Sequence, residues 1–148
     1  MKLGLIDDMN DYKVMPTVPE ENIFWDISTE RIVDSSSLSY KYLSEYIDIE
    51  EWKKSFFELY NKWLKEDDDS VYDIHNEVSR SMINALMEIN KKADFKLYYW
   101  FDVDRNKYPN YVWRKCPIAG TDLIDLPEYY SMNNRKISVD YPLVFPLV

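Results

Sequence analysis

The stretch Ser70–Lys92, SVYDIHNEVSRSMINALMEINKK, decides how the rest of the chain is read. Val71, Ile74, Val78, Met82, Ala85, Leu86 and Ile89 recur at three- and four-residue steps, which lines up one apolar stripe on a helix. Ser70 is placed to cap the N-terminus, with Asp73 three residues on. Asp67, Asp68 and Asp69 put negative charge at the positive end of the helix dipole. Lys91 and Lys92 put positive charge at the other end. Such a helix needs a partner surface, and the aromatic segments on either side can supply one.

Residues 49–65 predict a second helix, with Trp52, Phe56, Leu59, Tyr60, Trp63 and Leu64 on its apolar face, Phe57 widening it, and Asp48 as its cap. The break at residues 66–69 is short, so the two helices are expected to pair antiparallel and share one core. Downstream, Phe95, Leu97, Tyr99, Phe101 and Val103 alternate with polar or amphipathic residues, which predicts a strand. Residues 104–110 hold turn formers, and residues 111–118 read as the returning strand of a hairpin that Pro117 ends.

The ends of the chain are read from the same rules. Residues 2–6 alternate weakly, as a short strand would. Residues 7–22 read as an irregular acidic connection, and residues 23–33 as a hairpin around Ser28-Thr29-Glu30, with a short helix at Phe24 as the competing reading. Leu38, Tyr42, Leu43, Tyr46 and Ile47 suggest a short helix. Residues 141–148 are too apolar for a solvated tail; they should pack on the core or add a late edge strand, with docking onto a partner as the alternative. The expected fold is α+β: two long antiparallel helices packed on a small, mainly antiparallel sheet, in one domain spanning residues 1–148.

Composition narrows the chemistry. Gly4 and Gly120 are the only glycines, so neither a phosphate-cradling loop nor a dinucleotide fingerprint can be built, and tight turns must use Asn, Asp, Ser and Pro. One cysteine, Cys116, and one histidine, His75, exclude an internal disulfide and a four-ligand zinc site of those types. Asp7-Asp8 interrupts the N-terminus after too few apolar residues for a signal peptide, and no apolar run approaches the ~20 residues of a membrane helix. A cytoplasmic protein without membrane contact is expected.

The formal charge is -9, and residues 1–50 hold 11 acids against 4 bases. A field of that sign repels phosphate backbones and favours basic protein partners over nucleic acid. Arg114, Lys115, Arg135 and Lys136 beside Tyr111 and Trp113 are too few to reverse it.

Candidate reactive groups are sparse. Asp102-Val103-Asp104-Arg105-Asn106 matches the first half of a calcium loop, but Lys107 stands where the turn needs Gly and Trp113 where a bidentate Glu belongs. A hairpin turn is the simpler reading. A small carboxylate enzyme, with a divalent metal at Asp102 and Asp104, is the alternative to a binding protein. Asp122 with Asp125, and Cys116 with His75, are the remaining pairs for acid–base or thiolate chemistry; surface carboxylates and a packed cysteine explain them equally. No catalytic residue, cofactor or metal ligand is assigned.

In size, acidity and aromatic content, with 13 Tyr and 5 Trp, the chain resembles the small acidic immunity proteins of bacterial toxin systems. Phage proteins that block host defence nucleases share those properties. The resemblance implies a protein that binds and neutralises a basic partner such as a toxin nuclease. Acids would steer the encounter and aromatic rings would anchor the centre of the interface. On this reading the candidate partner-binding residues are Asp7, Asp8 and Asp11 in one cluster, and Tyr42, Glu45, Tyr46, Asp48, Glu50 and Glu51 in another.

Overall fold

The computed structural model describes residues 12–14, 24–26, 38–125 and 135–146. Helix α1 spans Leu38–Ser44 and α2 spans Ile49–Glu66. Asp48 caps α2, its carboxylate accepting from the Glu51 N–H at 3.1 Å. The helix stops at Asp67, whose φ of 54° is left-handed; its N–H donates to the Trp63 carbonyl and the following Asp68 N–H to the Lys62 carbonyl. Glycine usually takes this position; in a chain with two glycines an aspartate, which tolerates it, takes it instead.

The three aspartates therefore end one helix rather than begin the next. Asp68 accepts from both the N–H and the hydroxyl of Ser70, at 2.9 and 2.6 Å, and opens a short 3-10 helix, Asp69–Tyr72. Helix α3 starts only at Glu77 and runs to Asn90. Its cap is Asn76, accepting from the Ser79 N–H at 2.7 Å, not Ser70. The cause is local competition. Asp68, Asp73 and Asn76 each bond the backbone in turn geometry, which draws residues 67–76 out of the helix that the apolar spacing suggests. From Val78 onward the stripe holds: Met82, Ala85, Leu86 and Ile89 are buried.

This turn changes how the helices meet. Trp52 Nε1 donates to the Val78 carbonyl at 2.8 Å, joining the N-terminal part of α2 to the start of α3. An antiparallel hairpin would place the C-terminal end of α2 there. That end instead packs on the 3-10 helix, with Trp63 and Tyr72 edge-on at 5.4 Å.

The sheet is mixed. Strands β1 (Tyr12–Val14), β2 (Phe24–Asp26), β3 (Leu97–Trp100), β4 (Ile124–Asp125), β5 (Arg135–Ile137) and β6 (Leu143–Pro146) lie in the order β2-β1-β3-β6-β5-β4. The central pairings, β1 with β3 and β3 with β6, are parallel; the outer ones are antiparallel. Strand β3 is where the alternation put it, with Leu97 and Tyr99 buried and Tyr98 and Trp100 half-buried. The expected hairpin over 95–118 does not form. Residues 111–118 contribute one bridge, Lys115 to Asp122, and the neighbours of β3 come from distant parts of the chain. The C-terminal segment packs on the core as expected, but as an interior strand between β3 and β5 rather than at an edge. Strand β1 falls within the stretch read as irregular, and β2 within the first arm of the predicted 23–33 hairpin. The expected strand at 2–6 and the second arm at 31–33 lie outside the described residues.

One face of the sheet, with Phe95, Leu97, Tyr99, Phe101, Leu143 and Phe145, joins the core made by Leu43, Trp52 and the stripe of α3. Asn90 ties α3 to β3: its side-chain amide accepts from the Leu97 N–H and donates to the Leu97 carbonyl, both at 2.9 Å. No helix of the described residues is long and apolar enough to cross a membrane.

Candidate functional site

The junction of α1 and α2 carries the part of the predicted surface that the structure describes; Asp7, Asp8 and Asp11 lie outside the described residues. Glu45, Asp48, Glu50 and Glu51 are all exposed there. Asp48 is also the helix cap, and Glu50 reaches Lys53 at 3.5 Å. The two tyrosines are also engaged in contacts within the protein. Tyr42 is half-buried and edge-on to Phe95 at 5.5 Å, so much of its ring serves the core. Tyr46 is half-buried beneath Lys92, whose ammonium sits 4.8 Å from the ring centre. The hydrogen bond with Tyr46 holds that ammonium above the usual lysine range, aided by the charges of Tyr46, Glu45 and Glu88.

The Trp52–Val78 contact adds what the sequence did not offer. It brings the start of α3 beside the start of α2, and Glu77 joins Asp48 and Glu51 around a groove of about 430 Å³ floored by Trp52 and Val78. Glu45, Asp48 and Glu50 line an adjoining hollow over the α1–α2 turn. The result is a continuous acidic face on two elements with an aromatic edge beneath it. Glu77 has no signal linking it to residues 45–51, because the link is a tertiary contact.

No protein-family model, curated protein or solved structure matches the chain.

The remaining candidates are kept apart or already engaged. Asp102 Oδ1 accepts from Arg105, from Trp113 Nε1 at 3.0 Å and from the Val103 N–H, while Oδ2 accepts from Arg105 Nε at 2.8 Å. Asp104 is buried, accepting from Trp63 Nε1 at 3.1 Å and from the Asn106 N–H. These carboxylates hold the 102–113 loop by accepting from donors of the protein itself. Among the described residues no group of His, Cys, Asp and Glu is arranged to hold a metal ion. Asp122 pairs with Lys115 and Asp125 with Lys136, so each faces its own cation rather than the other acid. Lys115 holds the Asp122 carboxyl below the usual range. Cys116 is buried, with the Ala119 N–H 3.5 Å from its sulfur, and His75 is exposed in the turn before α3.

A second concavity lies at the opposite end of α2. The aromatic face that the sequence assigned to the core is buried only at Trp52; beyond it Phe56, Tyr60 and Trp63 stay half-exposed. Together with Tyr72 and the end of β3 they enclose a cavity of about 450 Å³. No spacing rule could find it, because its walls come from three elements.

Proposed function

We propose that this protein is an immunity-type inhibitor that binds and neutralises a basic protein, such as a toxin nuclease, in the cytoplasm. The observation that carries the reading is the acidic groove in which Glu51 and Asp48 of one helix start meet Glu77 of the other above Trp52. Such a surface attracts the cationic groove by which a nuclease holds phosphate, and an aromatic floor suits the desolvated centre of an interface. A phage-encoded inhibitor of a host defence nuclease would use the same chemistry, and the identity of the enzyme recovered decides between them. The carboxylate-enzyme reading has less support, since the oxygens of Asp102 and Asp104 already accept from protein donors.

The test begins with the tagged chain, captured with its partner from native lysate, and an assay of that partner's activity with and without the chain. Loss of activity at equimolar addition is expected. Reversing Glu45, Asp48 and Glu51 to lysine should slow association about tenfold or more at low salt and leave wild-type and variant closer at high salt. An unchanged association rate would remove this face from the proposal, and an active partner at saturating chain would remove the inhibitor reading.

A further inference from the structure

The cavity beside the C-terminal half of α2 combines aromatic walls with an acidic neighbourhood, in which Asp69, Asp73, Asp102 and Asp104 outnumber Arg105 and Lys107. Tyr60 and Trp63 come from α2, one turn apart, and Tyr72 closes the side formed by the 3-10 helix. At about 450 Å³ it falls in the range of small-molecule sites rather than packing defects. Asp102 stands on its wall, and Asp104 lies behind Trp63 with the indole N–H pointed at it. An adjoining hollow of about 260 Å³, which shares Tyr72, adds Asp69, Asp73 and Asp104, with Lys107 on the same wall. Among the described residues no lysine or arginine lines the larger cavity. The cations of the neighbouring loop are committed: Arg105 to both oxygens of Asp102, Lys107 to Asp69.

The face of an aromatic ring is negative and its edge positive, so ring faces attract a cation, and an indole whose N–H is bonded to a carboxylate is more electron-rich than a free one. The Tyr72 hydroxyl stays protonated far above neutral pH, pushed up to about 12 by burial first and then by Asp104, Tyr60, Asp102 and Asp69. Neither Tyr60 nor Tyr72 spends its hydroxyl on a hydrogen bond among the described residues. An anion would be disfavoured, since the carboxylates here outnumber the cations that pair with them. A bare metal ion would meet rings and oxygens that already have partners. A neutral apolar molecule would gain burial but nothing from the charge.

We propose that this cavity is a binding site for a small organic cation, with an alkylated ammonium group seated against Trp63, Tyr60 and Tyr72 and balanced by the Asp104 carboxylate behind Trp63, which accepts hydrogen bonds but has no ion pair among the described residues. The site is separate from the acidic groove at the other end of α2, so it stands or falls independently of partner binding.

The probe is choline, set against dimethylbutanol, its uncharged carbon isostere, titrated into the full chain at constant ionic strength with tryptophan fluorescence and calorimetry as readouts. Saturable choline binding is expected, tighter than the isostere by about tenfold, the increment of a desolvated cation–π contact. Trp63→Leu should abolish it. Tyr72→Phe, which keeps the ring and is the milder change to the fold, should retain it, and Tyr72→Leu should weaken it several-fold with the circular dichroism spectrum unchanged. Equal affinity for choline and the isostere would overturn the proposal, as would a Tyr72→Leu chain that is folded and binds choline as well as the wild type. So would the absence of any saturable signal in the wild-type chain.

Discussion

Tyr99 shows how one residue read correctly as core carries more than packing. It lies on the buried face of β3, and its hydroxyl meets Ser79 of α3 at 2.9 Å, a polar pair with both members buried. Burial pushes the Tyr99 phenol from 10 up to about 12, the Ser79 bond opposing it in part. The sign follows from proton counts. Below about pH 10 both states hold the proton and the full stability is present. Between there and the folded value the unfolded chain releases a proton that the folded chain retains, so stability falls as pH rises. The loss from this group is about 3 kcal/mol at most. Tyr72 moves in the same direction, but its greater exposure weakens its share. Tyr99→Phe should therefore cost about 1 kcal/mol at neutral pH, where the buried Ser79 hydroxyl loses its partner. It should also flatten the alkaline slope. Urea midpoints of both chains at neutral pH and at about pH 11 check this: a variant as pH-sensitive as the wild type would move the cause elsewhere.

At the scale of elements, what was legible were the signals written within one segment. The Asp48 cap, the stripe from Val78 to Ile89 and the alternation through β3 were all readable. What failed were inferences across segments. Residues 70–76 fit the helical spacing, yet side chains that bond their own backbone took them into a turn. Residues 111–118 look like a return strand because they follow turn formers; Trp113 packs on Phe101 and Phe145 and bonds Asp102 without entering the sheet. The candidate site divides in the same way. Glu45, Asp48, Glu50 and Glu51 form one exposed patch because they are close in sequence. Glu77 and the aromatic cavity depend on the turn that the apolar period conceals. Asn76 is the knot of that turn. Its oxygen caps α3 at Ser79, and its amide donates to the carbonyls of Ser70 and Asp73 at 3.0 and 2.7 Å. Asn76→Ala should destabilise the protein by about 2 kcal/mol, more than a simple cap loss. Asn76→Asp, which keeps the cap and loses the two donors, should fall between. Equal stability of Asn76→Asp and wild type in urea would show that the cap alone matters.

For the whole molecule, the decisive feature is that the centre of the sheet is assembled from remote parts of the chain. Strands β1, β3 and β6 lie side by side and parallel, although they start at residues 12, 97 and 143. Contacts of that separation form late and cost loop entropy first, so this fold should be slower to form than its helices suggest. It also makes the C-terminal segment indispensable. Strand β6 bonds β3 on one side and β5 on the other, and Leu143, Val144 and Phe145 have no solvent exposure at all. Burying each such side chain contributes about 1.5–3 kcal/mol, so the three together rival the 5–15 kcal/mol by which a domain is usually stable. Their loss would also strip Trp113 of the Phe145 ring 4.4 Å away and leave the inner edges of β3 and β5 without partners. A chain ending at residue 138 should show no cooperative urea transition and should bind a hydrophobic dye at neutral pH, as a compact state without fixed packing does. An edge strand could be trimmed with a shift in midpoint alone. A truncated chain that still unfolds cooperatively, with the wild-type dependence on urea, would mean that β6 is peripheral and that the core is closed without it.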